Sequence, residues 1–550
     1  MTDSNKKRNT ILVQGSIFAV ASLISRIIGL IYRVPLTSII GKTGNDYYGT
    51  AYTVYNIVLI FSSYSIPLAV SKLVSARMAK HEYENARRVF RGSLIFAIVT
   101  GGIGMVIVFF GAGVFTSWLK TPMSTPALKI LAPVILMVAI VGVLRGFFQG
   151  LNTMIPSSIS QIIEQIMNAV VSVVAAFILF GYGSRVGAVL GNKDKYAAAY
   201  GASGGTLGTF AGSLAALIFM IFIHFLYRKV FKRKLKKQRN VSVESYRSIF
   251  IALILTIIPV ILSTAVYNSV SILETYIFKN IATLQTYSEH QISTWWGVYT
   301  GEVSVLKNIP ISIASAMAAS SVPAITASFN KNDKAEVEHQ ITSATRFISI
   351  IALPCTVGMI VLANPILKLL FHDPDNVSAY MLMFGALSIP FFCISTLTNG
   401  LLQGINKMSE PVKNALLALV LYAVFLIFTL EVLHLNIYGV LISLVFYGFM
   451  MCILNRRALN KYSKIKQDIF KTYVLPLIAS IIMGIFVYLG YQLMNIATHS
   501  NAISTLFAIL VGIFTYFISI VKIHGITENE MRRFPKGEML VKFANKLHLL

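Results

Sequence analysis

The segment Leu144-Arg-Gly-Phe-Phe-Gln-Gly-Leu-Asn-Thr-Met-Ile-Pro156 recurs loosely as Thr398-Asn-Gly-Leu-Leu-Gln-Gly-Ile-Asn-Lys-Met-Ser-Glu-Pro411. Counted from Gln149 to Gln403 the offset is 254 residues (403 − 149). Ile66-Pro-Leu-Ala-Val and Val322-Pro-Ala-Ile-Thr repeat at nearly the same spacing, 256 (323 − 67), and each precedes a charged loop. In an apolar chain a duplicated half implies two helical bundles that enclose a site between them, the plan of a secondary transporter.

The chain is apolar enough for that inference. Of its 550 residues 56% are hydrophobic and 12% charged, where a soluble chain would carry about a quarter charged. Apolar runs of roughly 20 residues, each able to cross a bilayer as a helix, recur along the length. The first, from Ile11, is too long for a signal core, and no small-residue cleavage site follows it. The formal net charge of +26 raises the question of nucleic acid, but the basic residues concentrate in alternate loops. That is the bias that holds loops on the cytoplasmic side and against anionic headgroups. No nucleic-acid partner is expected. Cys355, Cys393 and Cys452 each lie in an apolar run without ligand spacing, so they read as core residues.

The pattern predicts an all-α polytopic membrane protein with about fourteen spans, near 11–40, 47–75, 90–119, 126–150, 157–181, 199–227, 248–278, 293–329, 341–371, 377–402, 411–433, 434–455, 470–492 and 501–523. Loop charge supports the count. Lys6, Lys7 and Arg8 precede the first span, Arg77, Lys80, Arg87, Arg88 and Arg91 follow the second, eight of the twelve residues from Arg228 to Arg239 are basic, and Arg456, Arg457, Lys461, Lys464, Lys466 and Lys471 follow the twelfth. All fall on one side, which puts both termini in the cytoplasm, whereas loops such as 41–46 and 372–376 carry little positive charge. The expected organisation is an N-lobe over 1–227, a basic linker over 228–247, a C-lobe over 248–455, an added helix pair over 456–523 and a basic amphipathic tail over 524–550. Six spans in each lobe make the copies enter the membrane the same way round, related by an axis along the membrane normal. The tail mixes Arg532, Arg533, Lys536, Lys542 and Lys546 with Met539, Leu540, Val541, Phe543 and Leu547, as in an interfacial helix.

Several intramembrane polar residues are candidates for the site. Arg26 and Arg33 are seven residues apart, hence on one helix face, with Gly29 opening space between them. A mid-membrane charge costs about 2.5–3.5 kcal/mol on the insertion scale and normally faces a cavity. Guanidinium forks match phosphate oxygens, so the pair points to an anionic headgroup; snorkelling is the alternative for Arg33, near Pro35 and the outer end. In span 7, Thr264, Tyr267, Asn268, Ser271, Glu274 and Thr275 follow the 3–4 spacing of one face, either lining a cavity or bonding neighbouring helices, and Glu274 could take part in coupling. Glu302, Lys307 and Asn308 add polar groups in span 8, where Lys307 either charges the cavity or pairs with Glu302. Gln161 and Glu164 lie inside span 5, and Arg145 near the inner end of span 4 could hold a lipid phosphate. Gly201, Gly204, Gly205, Gly208 and Gly212 in span 6 have the spacing of close helix packing. Enzyme signals are poor. No Walker loop is present, and Asp373-Pro-Asp375 reads as a turn rather than a metal-binding pair.

Ser25-Arg-Ile-Ile-Gly29 with Arg33, Ile66-Pro-Leu-Ala-Val-Ser-Lys72 and Leu144-Arg-Gly-Phe-Phe-Gln-Gly150 with Asn152, in this order, resemble the multidrug/oligosaccharidyl-lipid/polysaccharide exporter superfamily. Within it the chain is most similar to the Gram-positive branch of MurJ-type lipid II flippases and the stage V sporulation protein B group. The resemblance implies alternating access by two six-helix lobes in a bacterial plasma membrane. A polyprenyl-pyrophosphate-linked saccharide, foremost the peptidoglycan precursor lipid II, would pass from the inner to the outer leaflet. Its tail would ride a groove lined by the last two helices. By matching position Arg26 and Arg33 would meet the pyrophosphate, and Asp46 would sit near the outer end of the second helix. The further cavity arginines of other members, in spans 2 and 8, have no counterpart except Lys307. Their acidic sodium residues are not evident either, which leaves the coupling ion or membrane potential open. No cofactor is expected, the partners are the lipid-linked saccharide and membrane lipids, and a monomer is the expectation. A drug/cation antiporter of the same fold is the alternative. It would prefer acidic and aromatic residues to arginines. A membrane glycosyltransferase would need a larger outer loop than the chain provides.

Overall fold

The computed structural model describes residues 20–236, 238, 242–331, 333–463, 468–532 and 537–546, and every regular element among them is helical. Lys6, Lys7 and Arg8, the start of span 1, Arg239, Lys464, Lys466, Arg533, Lys536 and Leu547 lie outside the described residues. Helix is what an apolar chain in a bilayer must adopt, because each backbone N–H and C=O then finds its partner within its own segment.

Twelve helices among the described residues are long and apolar enough to cross a membrane. The first of these, Arg33–Ala79, has 47 residues, about twice what one crossing needs. It comprises α2 (Arg33–Leu59), a π-helical turn (Ile60–Tyr64) and α3 (Ile66–Ala79). Within α2 the helix breaks at Gly41, whose φ of 68° and ψ of 179° only glycine adopts without strain. Residues 41–46, expected as a loop, are therefore a one-residue break after which the helix resumes at once. Two shorter apolar helical stretches, α1 (Val20–Ile31) and Tyr246–Ile258, stand outside the twelve. The second belongs to the 39-residue helix α8 (Tyr246–Leu284). Fourteen spans are compatible with this arrangement.

The remaining helices are α4 (Tyr83–Trp118), α5 (Thr125–Gly150), α6 (Ile155–Val189), α7 (Lys193–Lys236), α9 (Glu289–Val298), α10 (Ser304–Asn330), α11 (Lys334–Val361), α12 (Ala363–Phe371), α13 (Asn376–Ala386), α14 (Ile389–Gly404), α15 (Ser409–Ile427), α16 (Asn436–Ser463), α17 (Leu475–Thr498), α18 (Asn501–Lys522), α19 (Glu528–Arg532) and α20 (Gly537–Lys546). At 44 residues α7 runs well into the stretch expected as linker.

The sequence repeat has a physical counterpart in two identical helix endings. After α5, Asn152 takes the left-handed conformation (φ 59°), its N–H bonds the Gln149 carbonyl at 2.9 Å, and the Thr153 N–H bonds that of Phe148 at 3.0 Å. After α14, Asn406 has the same φ of 59°, with Asn406 N–H to Gln403 O at 3.0 Å and Lys407 N–H to Leu402 O at 2.9 Å. Both are Schellman closures, and asparagine serves because its short polar side chain tolerates the left-handed region. The duplicated Gln-Gly-(Leu/Ile)-Asn is thus a helix stop used twice. The Asp373–Asp375 turn is also local structure: the Asp375 carboxylate caps α13 by accepting from the Val377 N–H at 3.0 Å.

By internal contacts the chain divides into two compact units, Met1–Gly301 and Glu302–Leu550. The boundary falls in the π-helical turn Tyr299–Val303. It measures compactness, whereas the lobe boundary expected over 228–247 comes from sequence symmetry. In the first unit Ile66, Val70, Val89, Phe147, Phe148 and Leu253 join α3, α4, α5 and α8 in one core. There α7 lies against α6 through the glycines expected to pack: a Cβ on Gly204 would stand 2.5 Å from the Ala175 carbonyl oxygen. Within the stretch expected as linker, Glu244 holds the chain to the C-terminal end of α3 and the N-terminal end of α4, through an ion pair with Arg77 at 2.9 Å and through its carbonyl to Arg88. In the second unit Ile341, Ile348, Ile389, Leu397 and Leu401 form the core of α11 and α14. The tail is docked there: Met531 and Val541 are buried with Ile520 and Ala479, and Arg346 pairs with Glu530 at 2.5 Å. Its apolar face is covered in part by protein, while Met539 stays exposed.

Candidate functional site

Restarting the helix after Gly41 puts Asn45 and Asp46 inside the first unit's packing. Asn45 Nδ2 closes the break by donating to the Gly41 carbonyl at 2.9 Å and the Thr37 carbonyl at 3.2 Å. Asp46 is ion-paired with Lys279 of α8. Both side chains are almost completely buried, at 3% and 1% exposure. Such a pair persists only if the remaining lone pairs and protons are also satisfied, and here they are. Lys279 Nζ donates to the hydroxyls of Thr50 at 2.9 Å and Thr121 at 2.5 Å. Asp46 accepts from Thr50 at 3.1 Å and from Ser293 of α9 at 2.8 Å. Four segments thereby meet at one charge pair, on the wall of a cavity of about 370 Å³ that Lys120, Lys195 and Glu289 also line.

Arg33 opens α2 and is half-buried, its guanidinium carbon 4.4 Å from the centre of the Tyr48 ring. One of its nitrogens, Nη1, is buried without a hydrogen bond. Tyr48 in turn packs against Tyr52, ring centres 4.5 Å apart and tilted by 33°, and the Tyr52 hydroxyl bonds Thr209 of α7. Beside them Asn168 of α6 donates to the Tyr32 hydroxyl at 3.3 Å and accepts from Ser172 at 2.9 Å. The arginine is held by stacking rather than by a carboxylate, which leaves donor capacity for an acidic ligand.

The other expected residues are spread over separate places. Arg26 is exposed on α1. Gly29 faces α6, where a Cβ would meet Gln165 Oε1 at 3.6 Å. Glu164 is ion-paired with Arg145 at 2.7 Å, and Arg145 also donates to Ser160, so that arginine is engaged by protein instead of standing open for a lipid phosphate. Asn268 is exposed and donates to the Thr264 carbonyl of its own helix at 2.8 Å. The Tyr267 side chain lies outside the described residues. Glu274 is buried and accepts from the Tyr299 hydroxyl at 3.1 Å. In the second unit Glu302 and Lys307 are both buried, with Lys307 Nζ 5.2 Å from the centre of the Phe392 ring.

Compared with known proteins, residues 11–329 match the family model described as polysaccharide biosynthesis protein, more than half of the chain. The chain belongs to that family. A second family model, MatE, matches residues 303–428. The lipid II flippase MurJ of Bacillus subtilis (strain 168) is 26% identical over 500 residues, covering 86% of this chain and 88% of that protein. The stage V sporulation protein B of the same organism is 25% identical over 542 residues, 97% of this chain and 100% of its own length. Among solved structures, the lipid II flippase MurJ in its inward closed conformation superposes with a TM-score of 0.65 at 16% identity, over 91% of this chain and 97% of that one. The fold, and the place in the exporter superfamily read from its motifs, are therefore those of this family, and the chain is a multi-pass membrane protein.

Within the family frame the residue that sequence reasoning passed over is Lys279. Span 7 was expected to end at residue 278, but α8 runs on to Leu284. The stripe Ser271, Thr275, Lys279, Thr283 continues at four-residue spacing through that border, so the signal was present. Thr50, Thr121 and Ser293 carry no such signal, because single hydroxyls gain meaning only when folding brings them to a charge.

Proposed function

We propose that this member of the polysaccharide biosynthesis protein family is a transporter and not an enzyme. It moves a polyprenyl-pyrophosphate-linked saccharide, foremost lipid II, from the inner to the outer leaflet of a bacterial plasma membrane by alternating access of the halves 1–227 and 248–455. Both termini are then cytoplasmic, as the basic loops require. The observation that carries the reading is Arg33: it stacks on Tyr48 with a buried guanidinium nitrogen free of any hydrogen bond. An unsatisfied buried donor costs about 1–3 kcal/mol, and a phosphate oxygen would remove that cost with a charge-assisted bond. Arg26, exposed on α1, is the second contact, and Gly29 lies between the two arginines in the chain. Glu274, Asn268, Glu302 and Lys307 are polar groups for the saccharide, and the segment 456–523 serves the lipid tail. Two relatives of similar length, one named a lipid II flippase, agree with this reading.

The MatE match over 303–428 favours a second reading, a drug/cation antiporter. Against it, Asp46, a buried carboxylate that could attract a cation, is already neutralised by Lys279. Binding separates the two. In mixed micelles the purified protein should bind polyprenyl-pyrophosphate-linked disaccharide, and Arg33→Gln should weaken that binding about tenfold or more, the loss of one charge-assisted bond. Equal binding by wild type and variant, together with saturable binding of an organic cation, would favour the antiporter.

A further inference from the structure

In the second unit a cleft of about 340 Å³ runs between α11, α14, α16 and the start of α17. It shares no residue with the Asp46–Lys279 cavity or the Arg33 site, and part of its lining, from Arg456 to Leu477, belongs to the segment proposed above for the lipid tail. Along α16 the lining residues Phe449, Cys452, Ile453, Arg456 and Asn460 fall on one face at three- and four-residue intervals. Phe449 and Arg456 are seven residues apart, about 10 Å along the axis. Arg456 lies the same distance before the end of the helix at Ser463. Phe391 lies against Phe449 with ring centres 5.6 Å apart, Tyr473 lies within electrostatic reach of Arg456, and Leu353 and Asn460 also line the cleft.

Among the described residues Arg456, Asn460 and the Tyr473 hydroxyl have no hydrogen bond or ion pair. Arg456 and Asn460, one turn apart towards the C-terminal end of α16, and Tyr473 thus bring three donors to a cleft whose other polar lining groups, the hydroxyls of Thr345, Ser349 and Thr398, are bonded within their own helices. Arg457, Lys461 and Lys471 add positive charge around that end. By the loop-charge orientation this is the cytoplasmic end.

We propose that the cleft is a binding site for an anionic phospholipid of the inner leaflet. Its phosphate accepts hydrogen bonds from Arg456, Asn460 and Tyr473, and one acyl chain lies along Phe449, Phe391 and Leu353. Basic pockets between transmembrane helices on the cytoplasmic side are suited to such headgroups, and the cleft volume is of the size that takes an apolar ligand. The lipid fills the gap between α17, which has no counterpart in the repeat, and the helices of the second half. The site depends on the orientation of the chain but not on which saccharide is carried.

Cys452 lies in the cleft, with its thiol on the Phe391 carbonyl at 3.1 Å, and so reports occupancy. The test follows maleimide labelling of Cys452 in a Cys355→Ser/Cys393→Ala background, in delipidated mixed micelles titrated with phosphatidylglycerol, phosphatidylcholine or polyprenyl phosphate. Phosphatidylglycerol should slow labelling saturably and phosphatidylcholine should not. Arg456→Gln should raise the half-protecting concentration about tenfold or more, with lipid-free thermal stability unchanged as the control for folding. Should that variant be unstable, Asn460→Ala is read in its place and should shift the same titration in the same direction. Equal protection by phosphatidylcholine, no effect of either substitution, or protection by polyprenyl phosphate alone would overturn the proposal, the last by assigning the cleft to the carried lipid.

Discussion

Lys279→Met tests whether the Asp46–Lys279 pair is the structural node described above. In the variant the Asp46 carboxylate stays buried with only the Thr50 and Ser293 hydroxyls to stabilise it. Breaking a buried ion pair by removing one partner costs about 3–5 kcal/mol, most of it the price of an uncompensated charge. Asp46→Asn should cost a similar amount for the converse reason, since the ammonium then faces an amide and two hydroxyls. In the double variant Asp46→Asn/Lys279→Met no buried charge remains, and what is lost is neutral hydrogen bonding worth about 1 kcal/mol per bond. The double variant should therefore be more stable than either single one, with a coupling energy of about 2–3 kcal/mol or more. Denaturant unfolding in mixed micelles measures this, and Trp296, stacked on Phe278 at 5.2 Å, supplies a fluorescence signal beside the pair. Additive losses in the double variant would refute the reasoning, because they would mean that the two charges do not depend on each other.

Arg26→Ala should abolish transport while membrane insertion and thermal stability stay unchanged, since its exposed side chain supports no packing; full transport in reconstituted vesicles would remove the anionic-site argument. Lys307→Ala should weaken headgroup binding less than Arg26→Ala, and an equal or larger loss in the same titration would move the site towards the second half. Asn152→Val should destabilise the protein by about 1–2 kcal/mol because a β-branched residue resists the left-handed region, whereas Asn152→Gly should be close to neutral; unfolding midpoints of the two variants check this. Gly204→Val should lower the melting temperature by forcing α7 off the α6 backbone, and an unchanged midpoint would contradict the close approach at Gly204.

Much of the fold was legible because a bilayer leaves few options. Apolar runs of crossing length must be helices, and the loops between them mark where one ends and the next begins. The repeat was legible because it marks a backbone event, the Asn152 and Asn406 closures, that only a few residue types allow. Boundaries were less legible. Residues 41–46 read as a loop between spans, yet one glycine at positive φ makes the break and Asn45 seals it. The site was partly legible for a related reason. An arginine in an apolar run announces itself, whereas the partner it finds does not. Arg145 looked free until Glu164 lay 2.7 Å away, and Lys279 fell past the expected end of its span until its helix proved six residues longer.

The central claim is transport of a pyrophosphate-linked saccharide lipid. Its most direct test is the appearance of lipid II in the outer leaflet of cells depleted of their own flippase and expressing this chain. Wild type should restore outer-leaflet lipid II, and Arg26→Ala or Arg33→Gln, present in the membrane at equal amounts, should not. Absence of rescue by wild type confirmed in the membrane would contradict lipid II as the cargo, and rescue by both arginine variants would contradict the site.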